Sequence, residues 1–329
     1  MQVGKSLGAA TAALFCVSVL FAPQALAADP APAPTTPAPT AANVTLRVQS
    51  FLAAGKKVIG IPKSPVRVRG TVAPFSAGQQ VKLDFFLKGK RVKRKTRPVV
   101  QTPEGGRYGY WFKPKRRGVY RVRATLIGGT VPAARNPAKR LYVVRSTAGP
   151  GARGTNVRAL QRRLADLGYI TPVNGSYSDS TGRAVLAFRK VNGMARNKFA
   201  GRAVFAKLAA GRGGFKVRYP KLGKHAEFDW SRQVLVLARG DKPQIITTAS
   251  SGKPSTPTVF GSFRFQRREP GTNSHGMYYS TYFIGGYAIH GYPSVPDYAA
   301  SHGCIRIPIP TAKRVYSWID LGDPIKVYR

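Results

Sequence analysis

Between Asn43 and Arg145 apolar and polar residues alternate in a series of short runs, and a chain written at that period buries one face of a sheet and little else. Val66-Arg67-Val68-Arg69-Gly70-Thr71-Val72 and Val81-Lys82-Leu83-Asp84-Phe85 set the pattern. Tyr110-Trp111-Phe112, Val119-Tyr120-Arg121-Val122-Arg123 and Leu141-Tyr142-Val143-Val144 continue it between Gly and Pro turns. Period two at this spacing predicts an antiparallel sandwich whose Lys and Arg side chains face outward. Beyond a Gly/Ser/Pro stretch at 146–155, read as a linker, the period changes. Val157, Leu160, Leu164 and Leu167 share one helical face, with Asn156 as N-cap and Gly168 as stop. Thr181-x-x-Ala184-Val185-x-x-Phe188 predicts a second helix ending near Gly193, and Val204, Phe205 and Leu208 a third. The expected units are therefore 43–145, 156–211 and 212–329.

The N-terminus reads as an export signal. Lys5 precedes an apolar run from Leu7 to Leu20, which closes on Ala25-Leu26-Ala27, the small-x-small pattern of a cleavage site. The run is short for a membrane span, which needs about 20 apolar residues. Residues 1–27 are expected to be a signal peptide, and Cys16 leaves with it, because Phe15 stands where a lipoprotein signal needs a small residue. Residues 28–42 are almost wholly Ala, Pro and Thr, a composition that favours an extended polyproline tether. Cys304 is then the only thiol of the mature chain, so no internal disulfide is available. Outside the cell a lone thiol is exposed to oxidation. It is either a buried, inert hydrophobe or a used nucleophile.

Charge narrows the partners. Residues 43–145 hold 25 basic and 2 acidic residues within a chain of net charge +42. Such a field attracts polyanions without specifying them. Export removes nucleic acid from consideration and leaves anionic wall polymers or the membrane surface. Lys88 to Arg97 concentrates seven basic residues in ten, either as a solvated hairpin tip or as a polyanion-binding patch.

All four histidines, at 225, 275, 290 and 302, lie in the last unit beside Cys304. The chemistry-bearing words are Ala288-Ile289-His290-Gly291 and Ser301-His302-Gly303-Cys304-Ile305-Arg306, preceded by Phe228-Asp229-x-x-Arg232-Gln233-x-Leu235, Ser250-Ser251-Gly252 and Thr256-Pro257-x-x-x-Gly261-x-Phe263. Together, over residues 222–329, they resemble the L,D-transpeptidase catalytic domain. The words Leu160-Gln161-x-x-Leu164-x-x-Leu167-Gly168-Tyr169, Asn174-Gly175 and Thr181-x-x-Ala184-Val185-x-x-Phe188 resemble the peptidoglycan-binding domain of wall hydrolases, with Arg189, Gly201 and Val204 as departures. The alternating segment 43–145 resembles a bacterial Ig-like domain in pattern. The expected fold is multidomain and mainly β: an Ig-like β-sandwich, a small three-helix peptidoglycan-binding-like domain and a β-rich catalytic domain.

The resemblance implies Cys304 as nucleophile and His290 as its base, with the Gly291 carbonyl fixing the imidazole tautomer and Asp297 as a contributor. A thiol with an ordinary pKa of about 8.5 is mostly protonated at neutral pH, and an imidazole neighbour lowers that value by forming an ion pair. His302 either holds the turn or assists proton transfer. Ser301, Gly303 and Cys304 are expected to position the turn, with the amides of Gly303 and Cys304 forming an oxyanion hole. Arg306, where many relatives carry Asn, is a candidate for pairing with a substrate carboxylate such as that of diaminopimelate. Tyr287, Gly286 and Tyr278 are expected beside the substrate. No CxxC pair or HExxH word supports zinc, and neither metal nor cofactor is expected. His225 and His275 are expected to be structural. The implied reaction cleaves a peptidoglycan stem tetrapeptide after its third residue and passes the acyl group to a neighbouring stem amine. Carbapenem β-lactams are the implied inhibitors. An L,D-carboxypeptidase with water as acceptor, and a non-enzymatic wall-binding protein, remain open. Strands are expected at Gln233–Ala238, Gln244–Ala249, Gly261–Gln266, Met277–Phe283 and Tyr287–His290, and a helix at Thr311–Leu321 with Gly322 as its stop.

Overall fold

A computed structural model describes residues 42–129 and 134–329. The expected signal peptide and the tether up to residue 41 lie outside the described residues. No helix among the described residues is long and apolar enough to cross a membrane. The described residues belong to one compact unit.

The first eleven strands are β1 (Asn43–Val44), β2 (Arg47–Gln49), β3 (Leu52–Ala54), β4 (Lys57–Gly60), β5 (Val66–Ala73), β6 (Gln80–Leu87), β7 (Lys90–Pro98), β8 (Val100–Thr102), β9 (Gly105–Phe112), β10 (Gly118–Ile127) and β11 (Lys139–Val143). They form two sheets, ordered β1-β5-β9-β8 with β2 also on β5, and β3-β4-β11-β10-β6-β7. The alternation does what its period dictates. Val66, Val68 and Val72 of β5 are buried while Arg67 and Arg69 face solvent, and the two inner faces share a core of Val68, Leu83, Phe85, Phe112 and Val122. The basic run folds as a hairpin. Lys88 and Gly89 both take positive φ, 51° and 79°, as a two-residue hairpin turn requires. β7 is a sheet edge exposed along nearly its whole length, and its charge deters further strands from pairing there.

Three helices follow: α1 (Thr155–Asp166), α2 (Asp179–Val191) and α3 (Arg202–Ala209). α1 starts two residues earlier than expected, with Gly154 rather than Asn156 as N-cap. Asn156 lies inside the first turn and its side-chain amide donates to the Thr147 carbonyl at 3.0 Å. Gly168 ends α1 in a left-handed conformation, φ 92°, as its position implied. The Gln161 of the Leu-Gln word is fully buried. Its amide reaches Ser176 O at 2.8 Å and Thr181 Oγ1 at 2.9 Å, and its carbonyl accepts from Gly175 N at 2.7 Å, so one side chain shapes the Asn174–Ser176 loop. Arg189, a departure from the family pattern, closes the α2–α3 loop by donating to Ala195 O and Phe199 O. The stretch 146–155 is not free chain: Ala148 and Ala200 exchange backbone hydrogen bonds of 2.9 Å each.

The remaining elements are β12 (Lys224–Asp229), β13 (Val234–Arg239), β14 (Lys242–Thr248), β15 (Gly261–Arg264), β16 (Arg267–Thr272), β17 (Tyr278–Ile284), β18 (Tyr287–Tyr292), β19 (Ile305–Pro308), α4 (Ile309–Trp318) and β20 (Pro324–Tyr328). One sheet is ordered β14-β13-β12-β20-β15 and the other β16-β17-β18-β19. The predicted helix stops at Trp318 because Ile319 is already extended (ψ 129°), and Gly322 belongs to the turn before β20. β13 is buried on both faces. Leu235 and Leu237 enter a core with Phe228, Phe283, Ile289 and Ile305. Val234, Val236 and Ala238 turn the other way, into a core shared with Leu160, Phe188 and Phe205 of the helices and Leu52 and Ile59 of the sandwich. Burying a Val or Leu side chain is worth roughly 1.5–3 kcal/mol. The helices are thus packed against the outer face of the catalytic sheet and do not hang from it.

Candidate active site

β18 and β19 run parallel, with Ile289 level with Ile305 and His290 level with Arg306. Strand alternation sends Ile289 and Ile305 into the core and His290 and Arg306 to the opposite face, and Arg306, two residues after Cys304, acts electrostatically on both the imidazole and the thiol. The His290 Nδ1 lies 3.0 Å from Gly291 O. A carbonyl only accepts, so Nδ1 carries the proton and Nε2 presents its lone pair. The ring is buried and stands edge-on to Tyr292 at 5.7 Å. Burial, with a smaller push from Arg306, lowers the His290 pKa to about 4 against the pull of the Gly291 bond.

The Cys304 thiol donates to Gly286 O at 3.5 Å. Burial pushes its pKa up, partly countered by the Ala288 backbone N–H and by Arg306. Burial disfavours charge on both partners, which weighs against the expected thiolate–imidazolium ion pair.

The turn before Cys304 is braced from several sides. Ser301 Oγ donates to Cys304 O at 2.6 Å and accepts from Gly303 N at 3.1 Å. Thr258 Oγ1 donates to Gly303 O at 2.6 Å and accepts from Gly252 N at 2.9 Å. Gly303 is required twice over: its φ is 121°, and a Cβ there would meet Tyr287 Cε1 at 2.7 Å. The Gly303 amide is held by Ser301, whereas the Cys304 N–H has no hydrogen-bond partner among the described residues. Tyr287 packs on the turn, Gly286 faces the thiol, and Tyr278 pairs with Gly291 across β17 and β18. Arg306 lies over the Tyr292 ring at 4.0 Å, with one nitrogen 3.4 Å from Ala300 O.

Other expected residues lie apart from the thiol and imidazole. His302 is exposed and makes no hydrogen bond to His290 or Cys304. Asp297 meets Arg196 through its carbonyl, and the tautomer of His290 is set without it. His225 is a satisfied core residue, between Gly223 O at 2.9 Å and Glu227 at 3.1 Å, and His275 is exposed. Among the described residues no group of His, Cys, Asp and Glu has metal-binding geometry.

Two cations of the helical module were not readable as site residues. Lys190 of α2 is buried without a carboxylate partner. Its ammonium donates to Thr248 Oγ1 at 2.6 Å, Gln233 O at 3.2 Å and Ala249 O at 3.3 Å. The Gln233 amide in turn clasps Ser251 with two bonds of 2.8 Å, and Ser251 O accepts the amides of Ala300 and Ser301. Arg196 bridges Ser231 O and Asp297 O. Both reach the underside of the catalytic turn. Burial, with a push from Arg196 and a pull from Asp297, lowers the Lys190 pKa from 10.5 to about 7. Between those values the unfolded chain binds the extra proton, so stability rises with pH from about 7 to 10.5. Lys190→Met is expected to remove that rise in urea titrations across the window. A slope unchanged by the substitution would show that the rise has another source.

The L,D-transpeptidase catalytic domain profile matches residues 223–327, and the peptidoglycan binding domain profile matches residues 153–208. No curated protein matches the chain. Among solved structures, the L,D-transpeptidase from Xylanimonas cellulosilytica DSM 15894 is 33% identical with a TM-score of 0.53, the match covering 56% of this chain and 98% of that one. An L,D-transpeptidase from Stackebrandtia nassauensis is 21% identical with a TM-score of 0.34, over 56% of this chain and 96% of its own. The catalytic domain of the E. faecium L,D-transpeptidase is 27% identical with a TM-score of 0.29, over 32% of this chain and 96% of its own. Fold and matches together define an enzyme of the acyl-transfer class. The chain belongs to the L,D-transpeptidase family.

Proposed function

We propose that the protein is exported and cross-links peptidoglycan stems through a thioester on Cys304. The observation that carries this reading is the register of β18 and β19, which sets a tautomer-fixed His290 level with Arg306, two residues after Cys304 and its braced turn. Sγ attacks the carbonyl carbon of the third stem residue, and the thiol proton passes to His290 Nε2. The Cys304 N–H is the donor for the tetrahedral oxyanion. Collapse breaks the C–N bond, and His290 returns its proton to the departing D-alanine amine. A side-chain amine of a neighbouring stem then attacks the thioester carbonyl and loses a proton to His290. The thiolate leaves and regains that proton. Water in place of the amine gives an L,D-carboxypeptidase from the same site. Tyr287, Gly286 and Tyr278 line the approach, and Arg306 pairs with a substrate carboxylate. The same nucleophile opens carbapenem rings. The basic N-terminal half holds the enzyme on anionic wall polymer or membrane surface.

Purified enzyme and disaccharide tetrapeptide are the test, with products followed by mass spectrometry. Dimer with loss of one D-alanine per cross-link is expected. Tripeptide alone would establish the carboxypeptidase reading, and unchanged substrate would leave a wall-binding protein without this chemistry.

A further inference from the structure

A cleft of about 960 Å³ opens where the sandwich meets the helices. Its sandwich wall consists of two loops, one carrying Lys63 and the other Lys115, Arg116 and Arg117. These loops are built rather than loose. Lys63 N–H donates to Pro114 O at 2.8 Å and ties one loop to the other. Lys63 also holds a left-handed backbone, φ 65°, which side chains rarely adopt. The Tyr120 hydroxyl donates to Arg116 O at 3.0 Å and accepts Arg116 N–H at 3.3 Å, fixing the second loop. Arg145 with Ser146 and Thr147 lies between the walls, and Arg202 and Arg212 flank the far side from either end of α3.

Seven of the fifteen lining residues are Lys or Arg and none is acidic. The chain has 12 acidic residues, and several neutralise cations elsewhere: Asp84 takes Arg94, Asp179 takes Arg183, and Asp229 takes Arg232. Among the described residues none of the seven cleft cations forms an ion pair. Seven unpaired like charges around one concavity repel each other, and that repulsion is relieved only by anions that enter. Five of the seven are Arg, whose planar fork matches phosphate oxygens two at a time. A concave groove with cations on both walls suits a thin chain of repeating charges. A flat lipid surface would reach only the rim.

We infer that this cleft binds a phosphodiester polymer of the cell wall, seating successive phosphates between the sandwich loops and α3. The choice of a wall polymer rests on the proposed wall-acting role; the affinity for phosphodiester does not.

The test uses the full mature chain and fluorescent poly(glycerol phosphate) oligomers. Arg116→Ala with Arg202→Ala removes one cation from each wall. Lys90→Ala with Lys95→Ala removes the same charge from β7, away from the cleft. The cleft variant is expected to bind about tenfold or more weakly, the β7 variant within about twofold, with thermal melts unchanged in both. Equal losses in the two variants would mean diffuse charge and would overturn the site. Three further arms use polyglutamate, single-stranded DNA of matched charge and phosphatidylglycerol vesicles. A cleft-dependent preference for polyglutamate over the phosphate polymer would overturn the phosphate assignment. Cleft-dependent binding to vesicles but not to polymer would make the partner a membrane. Cleft-dependent DNA binding tighter than that of the phosphate polymer would make it a nucleic acid. Turnover of soluble tetrapeptide, run in parallel, is expected to be the same in all three proteins. Loss of polymer binding with turnover intact speaks to the cleft alone, and absence of turnover in the parent speaks to the active site alone.

Discussion

Replacing Cys304 with alanine is expected to bring tetrapeptide turnover to background and to remove every covalent adduct with a carbapenem. The magnitude follows from the inventory around the site. The thiol is intrinsically the strongest nucleophile beside this turn, and the nearby cation Arg306 has no nucleophilic form at any usable pH. Ser301 cannot take over, because its hydroxyl is committed to Cys304 O and Gly303 N. The fold should not notice the change: the thiol's contacts are weak, a bond to Gly286 O at 3.5 Å and the Ala288 backbone N–H. Intact-protein mass after carbapenem incubation reads the outcome, with a thermal melt as the folding control. An adduct that persists in the alanine variant would move the nucleophile elsewhere and remove the mechanism with it.

How much of this was legible before the structure depended on whether one periodicity acted alone. The sandwich strands alternate because one face meets the core and the other water, and β5 and β6 could be read almost to the residue. In the catalytic part the signal fails where a buried strand carries polar letters or where neither face is covered. β12 carries His225 and Glu227 inward, satisfied by each other and by Tyr328 at 2.8 Å, so its polar letters concealed a buried strand. β16 reads Arg-Arg-Glu-Pro-Gly-Thr and is mostly exposed, with nothing apolar to announce it.

The site divides in the same way. His290, Gly291, Ser301, Gly303 and Cys304 stand in short words whose spacing carries the turn, so they could be named from sequence. The cost of charge there could not, because it comes from the packing around β18 and β19. Lys190 on an amphipathic helix looks like one more solvated cation until α2 is seen against β14. A cation carried by a wall-binding-like module then turns out to hold the strand ends under the catalytic turn. The division of labour suggested by three separate periodicities is thereby qualified: the helical module contributes to the architecture of the site, whatever it binds.

The pH profile of the enzyme is where neutral and ion-paired resting states part. If Cys304 and His290 formed an ion pair, activity would fall as the imidazolium lost its proton. With both neutral, the requirement is an unprotonated His290 Nε2, and its protonation is held down to about pH 4 by burial. The sign is direct: a lowered imidazole pKa extends the active form toward acid, so kcat/KM should stay level through pH 5 and drop only as pH falls through about 4, well below the ordinary histidine value of 6.5. Burial also raises the Cys304 pKa above the ordinary thiol value, so alkylation by iodoacetamide should be slow at pH 7 and rise only on the alkaline side. His290→Ala should lower kcat by roughly 10²–10⁴-fold, the usual worth of a positioned base, and abolish the acid limb. Arg306→Met supplies an independent check. The guanidinium disfavours the imidazolium, so its removal should move the acid limb to higher pH without abolishing it. An acid limb near 6.5 in the parent enzyme, together with rapid alkylation at neutral pH, would restore the ion pair and make proton transfer a step completed before substrate arrives. The level profile instead makes transfer part of the attack, with the Gly291 carbonyl holding Nδ1–H so that Nε2 receives the thiol proton as the carbon–sulfur bond forms.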